Sequence, residues 1–91
     1  MLDRALALHP QVALRPEPFG ALAYHYGNRK LTFLRHPDIV AVVNALAEHA
    51  TVRDALTSCG VAARRWPSFC AALASLESSE MLHERTPALA R

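Results

Sequence analysis

Hydrophobic and polar positions change their period near residue 36. Before it, Val12-Ala13-Leu14-Arg15, Ala21-Leu22-Ala23-Tyr24-His25-Tyr26 and Leu31-Thr32-Phe33-Leu34-Arg35 are short runs rich in β-branched or aromatic residues, parted by Pro16-Glu17-Pro18-Phe19-Gly20 and Gly27-Asn28-Arg29-Lys30. Runs of this length between proline, glycine and asparagine read as strands joined by turns, so the first half predicts a three-stranded antiparallel meander. The second hairpin closes through a two-residue loop at either Gly27-Asn28 or Asn28-Arg29. Both make paired residue numbers sum to an odd value, which sets Leu22, Tyr24 and Tyr26 on one face with Leu31 and Phe33. That large-residue face is expected to meet the rest of the protein.

After His36 the spacing is helical. Pro37 suits a first helical turn, Asp38 favours the positive helix start, and Ile39, Val42, Val43 and Leu46 form one apolar stripe, so a first helix is expected to reach about His49. Thr51-Val52-Arg53-Asp54 has capping-box spacing, and Gly60 suits a left-handed stop, which predicts a short second helix. Pro67 opens a third, with the stripe Phe69, Leu73 and Leu76 beside Ala72, ending near Ser78-Ser79; Met81 and Leu82 are expected to fold back onto it. The resulting fold class is α+β: the meander followed by a three-helix bundle with a winged-helix likeness, in one domain over residues 10–82. Residues 1–9 and 83–91 lack a strong pattern and are expected to be flexible ends.

Composition narrows the function classes. In 91 residues, 52% hydrophobic, there is room for one core and enough apolar material to build it, which excludes global disorder. The longest uncharged apolar stretches, residues 39–47 and 66–76, fall short of the ~20 residues of a membrane span. Asp3 stands where an export signal would be basic and residues 5–8 are too short an apolar run for one, so a cytoplasmic protein is expected. Cys59 and Cys70 then read as reduced packing residues. Residues 1–36 carry five Lys/Arg against two Asp/Glu, and residues 37–91 five against six. This imbalance is weak for nucleic acid and better matched to an acidic peptide.

Candidate chemistry is sparse. His9, His25, His36, His49 and His83 are scattered and the two cysteines are unpaired with any second thiol motif, so neither a metal nor another cofactor is expected. No nucleophile elbow, H-E-x-x-H or glycine-rich phosphate loop is present, and no catalytic role is expected. A winged-helix DNA regulator is the alternative, with residues 51–60 and 67–76 as its helix pair. The outward residues of the second helix, Ser68, Ala71, Ala72, Ser75 and Glu77, lack the side chains that read base edges.

The two edges of the meander differ. Pro10, Pro16 and Pro18 flank or interrupt the first strand, removing N–H groups that a docking strand would need. The third strand has neither proline nor glycine from Lys30 to His36, and such an open edge is a template for an extended peptide. Coverage by a chain end, or simple protection by Lys30 and Arg35, is the competing reading.

The order of three strands and three helices resembles the PqqD-like peptide-recognition domains, the recognition elements of ribosomally made, modified peptides. The run Leu14-Arg15-Pro16-Glu17-Pro18-Phe19-Gly20-Ala21-Leu22, with Tyr24, Tyr26, Arg29-Lys30-Leu31 and Phe33-Leu34, resembles the branch that serves the mycofactocin system. Where PqqD proteins usually leave the third strand through a Leu-Asn step, this chain has Leu34-Arg35-His36-Pro37. The resemblance implies a non-catalytic chaperone that binds the leader of a precursor peptide as an added strand and hands it to a radical SAM enzyme. It implies a site made of Arg29, Lys30, Leu31, Thr32, Phe33, Leu34 and Arg35, walled by Phe69 and Leu73 of the third helix, with Arg64 and Arg65 adding to a positive rim.

Overall fold

The structure is a computed structural model that describes residues 1–84. It contains β1 (Leu6–Leu8), β2 (Val12–Glu17), β3 (Gly20–His25), β4 (Leu31–Leu34), α1 (Pro37–Ala45), α2 (Val52–Ser58), α3 (Trp66–Ser78) and β5 (Leu82–Glu84). Short 3-10 turns at Leu46–Glu48 and Ala63–Arg65 extend α1 and introduce α3. The expected α+β fold is present, with β2, β3 and β4 forming the antiparallel meander in chain order.

Local signals act as their chemistry requires. Pro37 lies in the first turn of α1, with His36 in extended conformation as its N-cap, so the Leu34-Arg35-His36-Pro37 exit passes from strand to helix through only two residues. The Thr51 side chain accepts from the Asp54 N–H at 3.2 Å, satisfying one of the donors that a helix start leaves unpaired. Gly60 (φ +74°) provides the left-handed turn after α2. Gly20 serves the sheet differently: a β-carbon there would lie 2.1 Å from the Leu34 carbonyl oxygen, so only glycine lets β3 begin this close to the end of β4.

The β3–β4 register is Ala21 to Leu34, Leu22 to Phe33, Ala23 to Thr32 and Tyr24 to Leu31. Those numbers sum to the value expected for a Gly27-Asn28 loop, but the hairpin closes one residue earlier. The His25 N–H donates to the Lys30 carbonyl at 3.0 Å, and the Arg29 N–H to the His25 carbonyl at 2.8 Å, with Arg29 itself at φ +63°. The loop therefore has four residues, 26–29, rather than two. The buried His25 ring holds it, because Nδ1 accepts from the Gly27 and Asn28 N–H groups at 3.0 and 3.1 Å.

Two further expectations fail. Leu22, Tyr24, Tyr26, Leu31 and Phe33 do share a face, but it is the opposite face of the sheet that meets the helices: Ala21, Ala23 and Leu34 are buried, while Tyr26, Leu31 and Phe33 are more than half exposed. The small side chains of Ala21 and Ala23 let α1 lie close against β3, and a large residue there would hold Ile39, Val42 and Val43 away from the sheet. The second failure concerns the ends. Leu6 to Leu8 pair antiparallel with Leu82 to Glu84, burying Leu6 and Leu82, so residues 6–8 and 82–84 are strand and not loose chain. The first residues are tied down as well: the Val52 and Arg53 N–H groups donate to the Arg4 and Leu2 carbonyls at 2.9 Å, and the Arg4 Nη1 donates to the Glu77 carboxylate at 2.7 Å. The remainder of the expected flexible end, residues 85–91, lies outside the described residues.

Candidate functional site

A groove of about 570 Å³ runs between β4 and α3. Leu34, Ile39, Phe69, Ala72 and Leu76 give it an apolar floor, and Thr32, Phe33, Arg35, His36, Arg65, Ser68 and Ser75 complete the lining. α3 is set at this distance by three attachments. The Trp66 indole N–H donates to the Val61 carbonyl at 2.9 Å, Pro67 occupies the first turn, and Phe69, Leu73 and Leu76 are buried in the core. At its far end, the Asn28 side-chain amide reaches the Ser79 carbonyl at 3.5 Å, tying the β3–β4 hairpin to the helix.

One wall of the groove is a strand edge. In an antiparallel ladder the N–H and C=O of each residue point to the same side, and the side alternates along the strand. With His25 bonded to Lys30, the main-chain groups of Thr32 and Leu34 turn inward to Ala23 and Ala21. Those of Leu31 and Phe33 are left facing the open side. On the opposite edge, the Tyr26 N–H donates to the Gln11 carbonyl at 2.8 Å, and the same alternation places Pro16 at an outward position of β2. The residue without an N–H thus stands where a docking strand would need one.

The groove's charge comes from two arginines. Arg65 bonds the Asp38 carboxylate at 3.0 Å and lies 5.1 Å above the Phe69 ring centroid, so its guanidinium is fixed at the lip and partly neutralised. Arg35 lies 5.7 Å from the Phe33 ring centroid and has no carboxylate partner among the described residues. The chamber is apolar with a cationic mouth, and it lies beside strand groups that pair with no other strand among the described residues. It can take an extended peptide whose alternate side chains are apolar and whose flanks are acidic.

Comparison with known proteins adds a second line. The profile of the peptide chaperone MftB family matches residues 5–83. The chain belongs to that family. Among its relatives, the peptide chaperone MftB of Mycolicibacterium smegmatis is 49% identical over 85 residues, covering 93% of this chain and 83% of the relative. That of Mycobacterium ulcerans is 51% identical over 80 residues, covering 88% and 73%. That of Mycobacterium tuberculosis is 49% identical over 83 residues, covering 91% and 76%. No solved structure matches the chain.

Within this MftB-family fold, the residues singled out from sequence divide into three groups. Thr32, Phe33, Leu34, Arg35, Arg65 and Phe69 come together in the groove. Arg29, Lys30 and Leu31 lie at the hairpin end of β4, and Arg64 is exposed in the 3-10 turn; none of the four lines the groove. Leu73 is fully buried, with no exposed surface. One step of helical turn separates it from the lining stripe, which passes through Ser68, Ala72 and Ser75, so it packs the core behind the wall.

His36, Ile39, Ser68, Ala72, Ser75 and Leu76 were missed as lining. A usable signal existed in the small residues at positions 68, 72 and 75, one turn apart, which leave space beside a helix. Among the described residues no three His, Cys, Asp or Glu side chains are grouped to hold a metal.

Proposed function

We propose that the chain is a non-catalytic peptide chaperone of mycofactocin biosynthesis, which binds the leader of a ribosomally made precursor by strand addition to β4 and presents it to a radical SAM maturase in the cytoplasm. The observation that carries this reading is the coincidence of an open strand edge, at Leu31 and Phe33, with an apolar groove of about 570 Å³ under the same edge. Main-chain bonds to the edge supply affinity without regard to sequence, and the groove supplies choice by accepting apolar side chains at alternate positions of the leader. Arg35 and Arg65 at the mouth favour an acidic leader and speed its approach. The peptide-chaperone description of the family supports this reading over a DNA-binding one. Among the described residues no helix is long and apolar enough to cross a membrane.

The test is a fluorescence-anisotropy titration of a labelled precursor leader into wild type and into Ala72→Phe, which fills the groove from the half-exposed side of α3. Wild type is expected to bind the leader and Ala72→Phe to lose at least tenfold in affinity with its melting temperature retained. A wild-type protein that leaves the anisotropy unchanged overturns the proposal, as does unchanged affinity in Ala72→Phe.

A further inference from the structure

Among the described residues no element packs over the outward, apolar face of the meander. Leu22, Tyr24 and Tyr26 stand on it beside Leu31 and Phe33, and Phe19 of the β2–β3 connection joins them. Tyr26 is 62% exposed, Leu31 55%, Phe33 54% and Phe19 40%, and apolar side chains exposed side by side in this way mark an interaction surface. The rings are already ordered: Phe19 meets Phe33 edge to face at 5.7 Å, and Tyr24 meets Tyr26 at 5.2 Å.

A docked leader accounts for only part of this surface. An added strand would lie one spacing of about 4.8 Å beyond β4, so β3 would be two spacings away from it. It would leave the half-buried Leu22 and Tyr24 and the exposed Tyr26 without a partner from the leader.

The surroundings of the face indicate its partner. Arg15 is paired across the ladder with Leu22, Arg35 lies beside the Phe33 ring, and Arg29 and Lys30 immediately precede Leu31. Among the described residues the carboxylates near them are Glu17, bonded to Arg15 at 3.3 Å, and Glu80, which accepts from the Asn28 side chain at 3.4 Å, so cations outnumber carboxylates. A second copy of this chain would bring two cationic rims together, which opposes self-pairing. A complementary surface would be apolar at its centre and ringed by carboxylates. A strand added to β4 would also extend the sheet, so its outward side chains would lie in the same plane as Leu31 and Phe33.

We propose that this aromatic face is the docking surface for the modifying enzyme, which meets it through an apolar patch with an acidic rim. In that position the enzyme touches the chaperone and the outward side chains of the seated peptide at once. The peptide strand thereby enlarges the enzyme's interface, and loaded chaperone binds more tightly than empty chaperone. This rests on the peptide-chaperone reading above.

Binding is measured between the chaperone and the radical SAM maturase of the same precursor, with and without the leader peptide. Two variants are used: Leu22→Thr with Tyr24→Thr, which removes the apolar side chains while placing strand-favouring β-branched residues in β3, and Tyr26→Asp at an exposed loop position, which supplies a second reading if the first variant melts. Each is expected to weaken maturase binding at least tenfold and to leave leader affinity within twofold of wild type, and the leader is expected to tighten wild-type maturase binding at least threefold. Maturase affinity within twofold of wild type in both variants overturns the inference. So does wild-type self-association in sedimentation that the variants abolish, or face-dependent binding to phosphatidylglycerol vesicles, since the occupant would then be a second copy or a lipid surface. Wild type that binds the maturase and not the leader overturns the groove reading alone, and the variants still decide the face.

Discussion

His25 and Lys30 close the β3–β4 hairpin, the N–H of the first donating to the carbonyl of the second at 3.0 Å. From that bond the alternation of the ladder assigns every main-chain group of β4 to one side or the other. Thr32 belongs to the inner set, bonded to Ala23, and Phe33 to the open set.

Thr32→Pro is therefore expected to destabilise the sheet, and Phe33→Pro to spare it. Proline at position 32 removes an interior ladder bond and strands the Ala23 carbonyl, a loss of about 2 to 4 kcal/mol. At about 4 to 8 °C per kcal/mol for a domain of this size, the melting temperature should fall by roughly 8 °C or more. Phe33→Pro should melt within a few degrees of Phe33→Ala but bind the leader at least fivefold more weakly than that control, because only the docking N–H differs. Equal leader affinity of the two position-33 variants would exclude strand addition at this edge.

The two neighbouring arginines are expected to behave differently. Arg65 is held on the groove lip by Asp38 and Phe69, whereas Arg64 is exposed outside it. Arg65→Glu should slow association of an acidic leader several-fold at low salt, and Arg64→Glu should change it by less than twofold, as stopped-flow fluorescence would read. Loss of the exposed Arg65–Asp38 pair should alter stability by no more than about 1 kcal/mol.

Both cysteines are free and half-buried, and burial pushes the Cys59 thiol up, away from the reactive thiolate. Replacing both with serine should lower stability by about 1 kcal/mol and leave leader affinity unchanged. A double variant that folds and fails to bind the leader would show a functional thiol.

The N-terminal segment is locked to α3 by the two-pronged Arg4–Glu77 contact, and the hydrogen bonds from Arg4 hold the Glu77 carboxyl below its usual pKa. A carboxylate whose pKa is depressed on folding contributes stability that is complete above its unfolded value, near 4.3, and is lost as pH falls through the folded value. Wild type should therefore lose melting temperature more steeply than Glu77→Gln on acidification from about pH 5 to pH 3, with the difference between them largest above pH 5. Parallel melting curves over that range would show that the pair contributes nothing to folding.

Much of the fold was legible because its signals are local. A proline in the first turn at 37 and 67, a threonine three residues before Asp54, and a glycine at φ +74° after α2 each constrain the backbone within a few residues, and each acted as expected. The groove was legible in half. β4 was identified as the open edge from the distribution of prolines, but the lining residues of α3 could not be separated from its core residues. Leu73 and Ala72 are neighbours in sequence, and which of them faces the groove depends on how the helix is rotated against the sheet.

Sequence alone determined the order of the three meander strands and the three helices, the shared face of Leu22, Tyr24, Tyr26, Leu31 and Phe33, and the blunted character of β2, since period and proline placement act through neighbouring residues. Tertiary structure decided which face of the sheet is buried, because an alternation of small and large apolar side chains in β3 is consistent with either side until a helix is placed on one. It also decided the pairing of β1 with β5, which joins Leu6 to Glu84 and has no local trace in either segment. The hairpin register depended on the single His25–Lys30 bond, and a four-residue loop held by a buried imidazole is invisible to turn statistics. Contacts between residues distant in the chain are chosen by packing as a whole, and that choice left an apolar aromatic face turned toward water.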